Sequence, residues 1–246
     1  HFKTVSTYTD TTFSDVSGWY AGYVETCYEL GLFSGTGTGR FSPDASMTAA
    51  EAVKLAACLH SIYETGSADF VQGDPWGQVY ADYCLENSIM EDAFHDYSNA
   101  ISRAQFAVLL AAALPDEVLS EMNAIADEAI PDVHVSDSYG PAVYKLYRAG
   151  IFTGTDSTGA FHPNTNIRRS EVAAVITRMV RVSERKSVTL GASSGSVLFL
   201  AAAGRMRPCR ACLPVMVIIC MSGPPPKKYR TVCKKASPEG GSCQRC

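Results

Sequence analysis

The stretch from Gly31 to Glu51, GLFSGTGTGRFSPDASMTAAE, is nearly rewritten from Gly150 to Glu171 as GIFTGTDSTGAFHPNTNIRRSE. Two loops that keep Gly, Phe, Pro and Glu in one order mark an internal repeat, and a repeat limits the fold more than any composition does. Trp19 lies twelve residues before Gly31. Trp76 lies twelve residues before Ser88, and Ser138 stands twelve before Gly150, with Tyr139 beside it. Cys27 and Cys84 each follow a tryptophan by eight residues. The segments beginning at Met47, Ile101 and Ile167 align as well. The unit is therefore helix, loop, helix, of about 55–65 residues and three times over. One such unit buries its apolar face only against its neighbours.

Local signals support the helices. Thr48 with Glu51, and Ser102 with Gln105, have the spacing of capping boxes, which satisfy the free N–H groups at a helix start. In the third unit Arg168 holds the cap position, so that start needs another solution. Val172, Val175, Ile176, Met179 and Val180 form one apolar face. Tyr23, Cys27 and Leu30 repeat this spacing, as do Tyr80, Cys84 and Asn87. In the loops, Gly35, Gly37 and Gly39 permit close backbone approach, Phe41 tucks beneath, and Pro43 leads into the second helix. Gly154, Gly159, Phe161 and Pro163 repeat the device. The middle unit has EDAFHDYSN instead, without glycine, and its loop must take another path.

Charge divides the chain at one point. Residues 1–190 carry 24 acidic and 12 basic residues, whereas residues 191–246 carry one acid, Glu239, and nine bases. Three cysteines precede residue 191 and six follow it. Such a double shift marks a boundary. No apolar run approaches the roughly 18–20 residues of a membrane span, and ACLPVMVIICM is interrupted by Pro214. HFKTVSTYTDTT at the start has no apolar run of a signal peptide and reads as a linker from a preceding domain.

FSDV, the tryptophan, twelve residues to glycine, the Gly-rich loop with its Phe and Pro, and the acidic helix start together resemble the S-layer homology (SLH) repeat. The resemblance covers about residues 10–185. It implies an all-α fold of three helix–loop–helix units in a pseudo-threefold spindle, followed by an irregular or disordered Cys-rich tail. The expected divisions are a linker at 1–9, repeats at 10–71, 72–128 and 129–190, and the basic tail at 191–246. The resemblance also implies a non-catalytic module that anchors an exported bacterial protein to the cell wall. Its partner would be secondary cell-wall polysaccharide or a peptidoglycan-linked glycan, with a pyruvylated amino sugar as one form. The ligand would lie in grooves between repeats, outside the cell. The chain reads as the C-terminal end of a larger protein, with room for an enzyme domain upstream. No cofactor, nucleic acid or membrane span is expected. The alternatives are a degenerate fold used for protein–protein assembly, or a zinc or redox module in the tail.

A sugar carrying a carboxylate calls for a planar cation, an aromatic face and backbone N–H donors. The residues implied are Trp19 and Trp76, Arg103 and Arg169, and the loop glycines Gly35, Gly39, Gly154 and Gly159. No single unit holds all three parts. Ala49 stands at the arginine position of the first unit, Ser138 at the tryptophan position of the third, and the second has no glycine loop. The tryptophans could equally be core. The arginines sit in first turns, where the helix dipole disfavours a cation, which points to ligand contact. As exposed side chains they should be removable without loss of fold. Asp15 reads as a local cap or turn residue, and Cys27 and Cys84 as small core residues, with a Cys27–Cys58 disulfide as an alternative. The five histidines show no metal-ligand spacing and no catalytic set is evident.

The tail holds CRAC at 209–212 and CQRC at 243–246, so Cys209, Cys212, Cys243 and Cys246 are candidate zinc ligands. Their separation exceeds the usual ribbon gap, and disulfides or an unrelated, unfolded extension remain open. Truncation after residue 190 is expected to leave the melting temperature and wall binding unchanged. Chelator sensitivity of the full chain that disappears on truncation would instead establish the zinc reading.

Overall fold

The computed structural model describes residues 1–190; the tail and its cysteines lie outside the described residues. Among the described residues there are six α-helices and no β-strand. They are α1 (Ala21–Glu29), α2 (Ala49–Thr65), α3 (Gln78–Glu86), α4 (Arg103–Ala113), α5 (Gly140–Arg148) and α6 (Arg169–Val180). None is long and apolar enough to cross a membrane.

Consecutive helices pair by sequence, but packing follows another order. α2 packs on α3, α4 on α5, and α6 returns to α1. Each second helix thus lies against the first helix of the next pair, and the last closes on the first. The cysteines sit on these seams: the Cys27 thiol donates to Ala173 O (3.4 Å) on α6, and Cys84 to Val53 O (3.6 Å) on α2. Cys27, Cys58 and Cys84 are free and buried, so no Cys27–Cys58 disulfide exists. Burial pushes their thiols up to about 12, about 11 and about 12. They are inert core residues.

The first helices end alike. Beyond α1, Gly31 takes a left-handed φ of 69°, and the N–H of Leu32 donates back to Cys27 O (2.9 Å). Gly150 does the same with φ 72° after α5, where Ile151 N–H donates to Leu146 O (2.9 Å). This is the Schellman closure, for which glycine carries no Cβ penalty. Ser88 adopts it after α3 with φ 57°. Each closure turns the chain sharply and buries Leu32, Ile89 and Ile151.

The second helices start in a common ring. Met47 N–H donates to Ile167 O (3.0 Å), Ile101 N–H to Met47 O (2.9 Å), and Ile167 N–H to Ile101 O (3.3 Å). These three side chains are at most 1% exposed. The next two donors of each helix also go to a neighbour's loop. Ala49 and Ala50 donate to Asn99 O and Tyr97 O, Arg103 and Ala104 to Thr165 O and Pro163 O, and Arg169 and Ser170 to Ala45 O and Pro43 O. Helix starts leave four N–H groups without intrahelical partners, so buried starts need such acceptors. At α2 and α4 the expected capping boxes complete the set. At α6 only the glutamate half of the box forms: the Arg168 N–H donates to the Glu171 carboxylate (3.0 Å), and the Arg168 side chain makes no cap hydrogen bond.

Asp15 holds the first loop closed. Its carboxylate accepts from the N–H of Phe41 (2.8 Å) and Ser42 (2.9 Å), and Asp132 repeats this with Phe161 (2.8 Å) and His162 (2.7 Å). Burial pushes the Asp15 carboxyl up, but the backbone N–H donors and the Arg40 guanidinium outweigh it and hold it below the usual range. A lowered folded value means the stabilisation is complete above the unfolded value near pH 4 and is lost as pH falls through the folded one. Asp15→Asn should therefore lower stability at neutral pH, with the gap to the parent closing below about pH 4. Urea unfolding across that range is the measurement; a gap that does not change with pH would count against the carboxylate.

Candidate functional site

Each tightly turned loop delivers a phenylalanine and a small residue to a cleft beside the second helix of its own unit. In the first cleft, of about 180 Å³, Phe33, Ser34 and Gly35 meet Glu51, Lys54 and Leu55 of α2. Trp76 closes it from the second unit and Arg169 from the third. In another, of about 130 Å³, Phe152, Thr153 and Gly154 meet Glu171, Ala174, Val175 and Arg178 of α6. There Trp19 comes from the first unit and Arg103 from the second. Three units thus build each groove, and the incompleteness of every unit is resolved by the ring order.

The two tryptophans are 63% and 54% exposed, so they are groove walls and not core. Gly35 is required by close approach: a Cβ there would lie 2.6 Å from Arg40 O and 2.7 Å from the Phe13 ring. At Gly154 a Cβ would lie 2.6 Å from Gly159 Cα, and its φ is 82°. Gly39 and Gly159 shape the loops through positive φ but do not line the grooves.

The motif arginines require a correction. Arg103 and Arg169 are each only 4% exposed, contrary to the expectation of exposed, dispensable side chains. Arg169 donates from Nε to Phe41 O (2.9 Å), from Nη1 to Glu51 Oε1 (2.7 Å) and from Nη2 to Ser34 O (2.9 Å). Arg103 donates from Nε to Phe161 O (2.7 Å) and from Nη1 to Glu171 Oε1 (2.7 Å). Each guanidinium also lies over two rings, Phe33 and Phe41 or Phe152 and Phe161, at 4.9–5.6 Å from the centroids. Burial pulls both arginines below their ordinary pKa, with Glu171 and Glu51 opposing. Their place at a dipole's positive end is compensated by a neighbour's glutamate, a tertiary contact that the helix register alone does not reveal.

The middle position of the ring is different. There the cleft is lined by Ile89, Met90, Phe94, Val108, Leu109 and Ala112, with Glu91 and Asp92 where the other loops carry Ser34–Gly35 and Thr153–Gly154. By the ring order its arginine would come from position 49, an alanine, and its tryptophan from position 138, a serine. All three departures noted in the sequence converge on this single groove. Its capping residue is Gln105 where the others have glutamate, so cation and carboxylate are absent together and no buried charge is stranded.

Lys54, Glu51, Glu171 and Arg178 were not singled out from the sequence as groove residues. The glutamates were visible only as helix caps or repeated motif letters, and nothing local distinguishes Lys54 or Arg178 from solvated surface charge.

These features define a helical module whose grooves are assembled from three helix pairs. Residues 12–53 and 129–173 each match the S-layer homology domain family model, so the chain carries S-layer homology sequence in two stretches. The middle helix pair, whose groove lacks these parts, falls between the two matches. A search of curated proteins finds no match. S-layer homology domains anchor proteins to the cell wall and are associated with the cell surface.

Arg169→Ala should destabilise the protein by about 3 kcal/mol, at the lower end for breaking a buried pair because Glu51 keeps some solvent access. Combining it with Glu51→Gln reproduces the natural Ala49/Gln105 arrangement and should recover part of that loss. Urea unfolding of both variants tests this, and a double variant less stable than the single one would refute it.

Proposed function

We propose that the chain binds an acidic secondary cell-wall polysaccharide in its first and third grooves, and that the middle groove does not. The observation that carries this reading is the convergence in each of two grooves of an exposed tryptophan, a tightly turned glycine loop and a cation, from three different units. An exposed indole supplies a flat apolar face for a sugar ring. The loop backbone offers polar groups to hydroxyl or N-acetyl substituents. The cationic wall favours a carboxylate such as that of a pyruvate ketal, since a charge-assisted hydrogen bond is roughly twice as strong as a neutral one. The glycan-binding residues proposed are Trp19, Trp76, Gly35 and Gly154, with Arg103 and Arg169 in the walls.

The module then acts as an anchor by occupying two sites on one polymer. Two linked weak sites raise overall retention well above either alone when the polymer spans both. The test is co-sedimentation with wall sacculi, before and after removal of their secondary polymer. Binding should require the polymer, and Trp19→Ala and Trp76→Ala should each weaken it by about tenfold, the order of one aromatic contact. Equal binding to stripped sacculi would overturn the reading.

A further inference from the structure

The two complete grooves are not copies of one another. In the first, the residue three positions after the capping Glu51 is Lys54; in the third, that position is Ala174. In the third groove the cation comes seven positions after Glu171, at Arg178, where the first has Cys58. The middle helix carries Val108 and Ala112 at the two positions. Each complete groove therefore has one additional cation, displaced by one helical turn, or about 6 Å along the helix axis, and the middle groove has none.

These cations differ from the motif arginines in what they already hold. Arg103 and Arg169 are each bound to a glutamate and to loop carbonyls. Among the described residues, neither Lys54 nor Arg178 forms an ion pair. The Lys54 ammonium lies 6.0 Å from the Trp76 ring centroid and 5.7 Å from that of Tyr80, on the groove wall. Arg178 lies 5.8 Å from the Tyr23 ring and donates from Nη1 to Ile151 O (3.0 Å), while its buried Nε has no hydrogen-bond partner. A half-buried cation without a counter-ion, beside an exposed indole, has unspent capacity for an anion.

We propose that Lys54 in the first groove and Arg178 in the third are the residues that recognise the carboxylate of the glycan, and that Arg103 and Arg169 are positioning residues. This inference rests on the proposed function and assigns its charge recognition. Because the two cations sit a turn apart, the grooves read the carboxylate at different depths relative to their tryptophans. The first takes a compact ammonium contact beside Trp76. The third takes a guanidinium contact, which Lys cannot replace in full.

The chain's two tryptophans, one per groove, separate the sites. Trp19→Phe leaves Trp76 as sole reporter of the first groove, and Trp76→Phe leaves Trp19 as sole reporter of the third. The probe is the methyl glycoside of a pyruvate-ketal N-acetylhexosamine, with its methyl ester as the uncharged control, alongside sacculi binding. Each single-tryptophan protein should respond to the acid and at least tenfold more weakly to the ester. Lys54→Met should abolish the Trp76 response and leave the Trp19 response intact; Arg178→Met should do the reverse, and Arg178→Lys should restore it only in part. Melting temperatures of the Met variants should stay near the parent's, separating recognition from folding. Unchanged titrations in both Met variants would overturn the assignment while leaving wall binding standing. Sacculi binding without any response to the charged sugar would overturn it also. A parent that fails to bind sacculi would remove the functional reading itself.

Discussion

Three buried helix starts meet at one place, and every one of them presents N–H groups that no residue of its own helix can satisfy. The backbone ring through Met47, Ile101 and Ile167, with the loop carbonyls at 43, 45, 97, 99, 163 and 165, supplies acceptors across unit boundaries. Burying these donors without such acceptors would cost roughly 1–3 kcal/mol each. Closure therefore stabilises every pair through its neighbours. The seam helices, each packed on the next pair, follow from the same order.

The Arg–Glu ties couple this ring to the grooves. Glu51 accepts the Thr48 N–H with one carboxylate oxygen and Arg169 with the other, so one side chain caps a helix and binds a neighbouring unit. Arg169 in turn fixes the carbonyls of Ser34 and Phe41, the two flanks of the glycine loop. The groove's shape is thus held from inside by a buried pair. Such a pair is expensive to break on one side and far less so to replace on both, which is why alanine and glutamine occur together at the middle interface. The middle unit keeps the ring hydrogen bonds and its capping box while its groove has turned apolar.

Repetition of the ring with variation of the walls divides the labour. Positions 47, 101 and 167 are all large and apolar, and their side chains are buried where the three helix starts meet. Positions 54, 108 and 174, and 58, 112 and 178, are free to differ because they face clefts or a single seam. Two grooves with offset cations and one without charge are a consequence of that freedom.

The helix–loop–helix unit, its threefold occurrence and the two capping boxes were legible in the chain itself, because spacing, caps and left-handed glycines are encoded within a few residues. The burial of Phe41 beneath its loop was equally local. What the tertiary structure decided was which parts meet. Arg169 serves the loop of the first unit and Arg103 that of the third, because each second helix leans on the following pair and the last returns to the first. That order also turned two arginines taken for exposed side chains into buried ties, since the glutamates facing them lie 118 and 68 residues away in the chain. A side chain's charge is written in the sequence, but its partner and its solvent access are set by the surfaces that close around it.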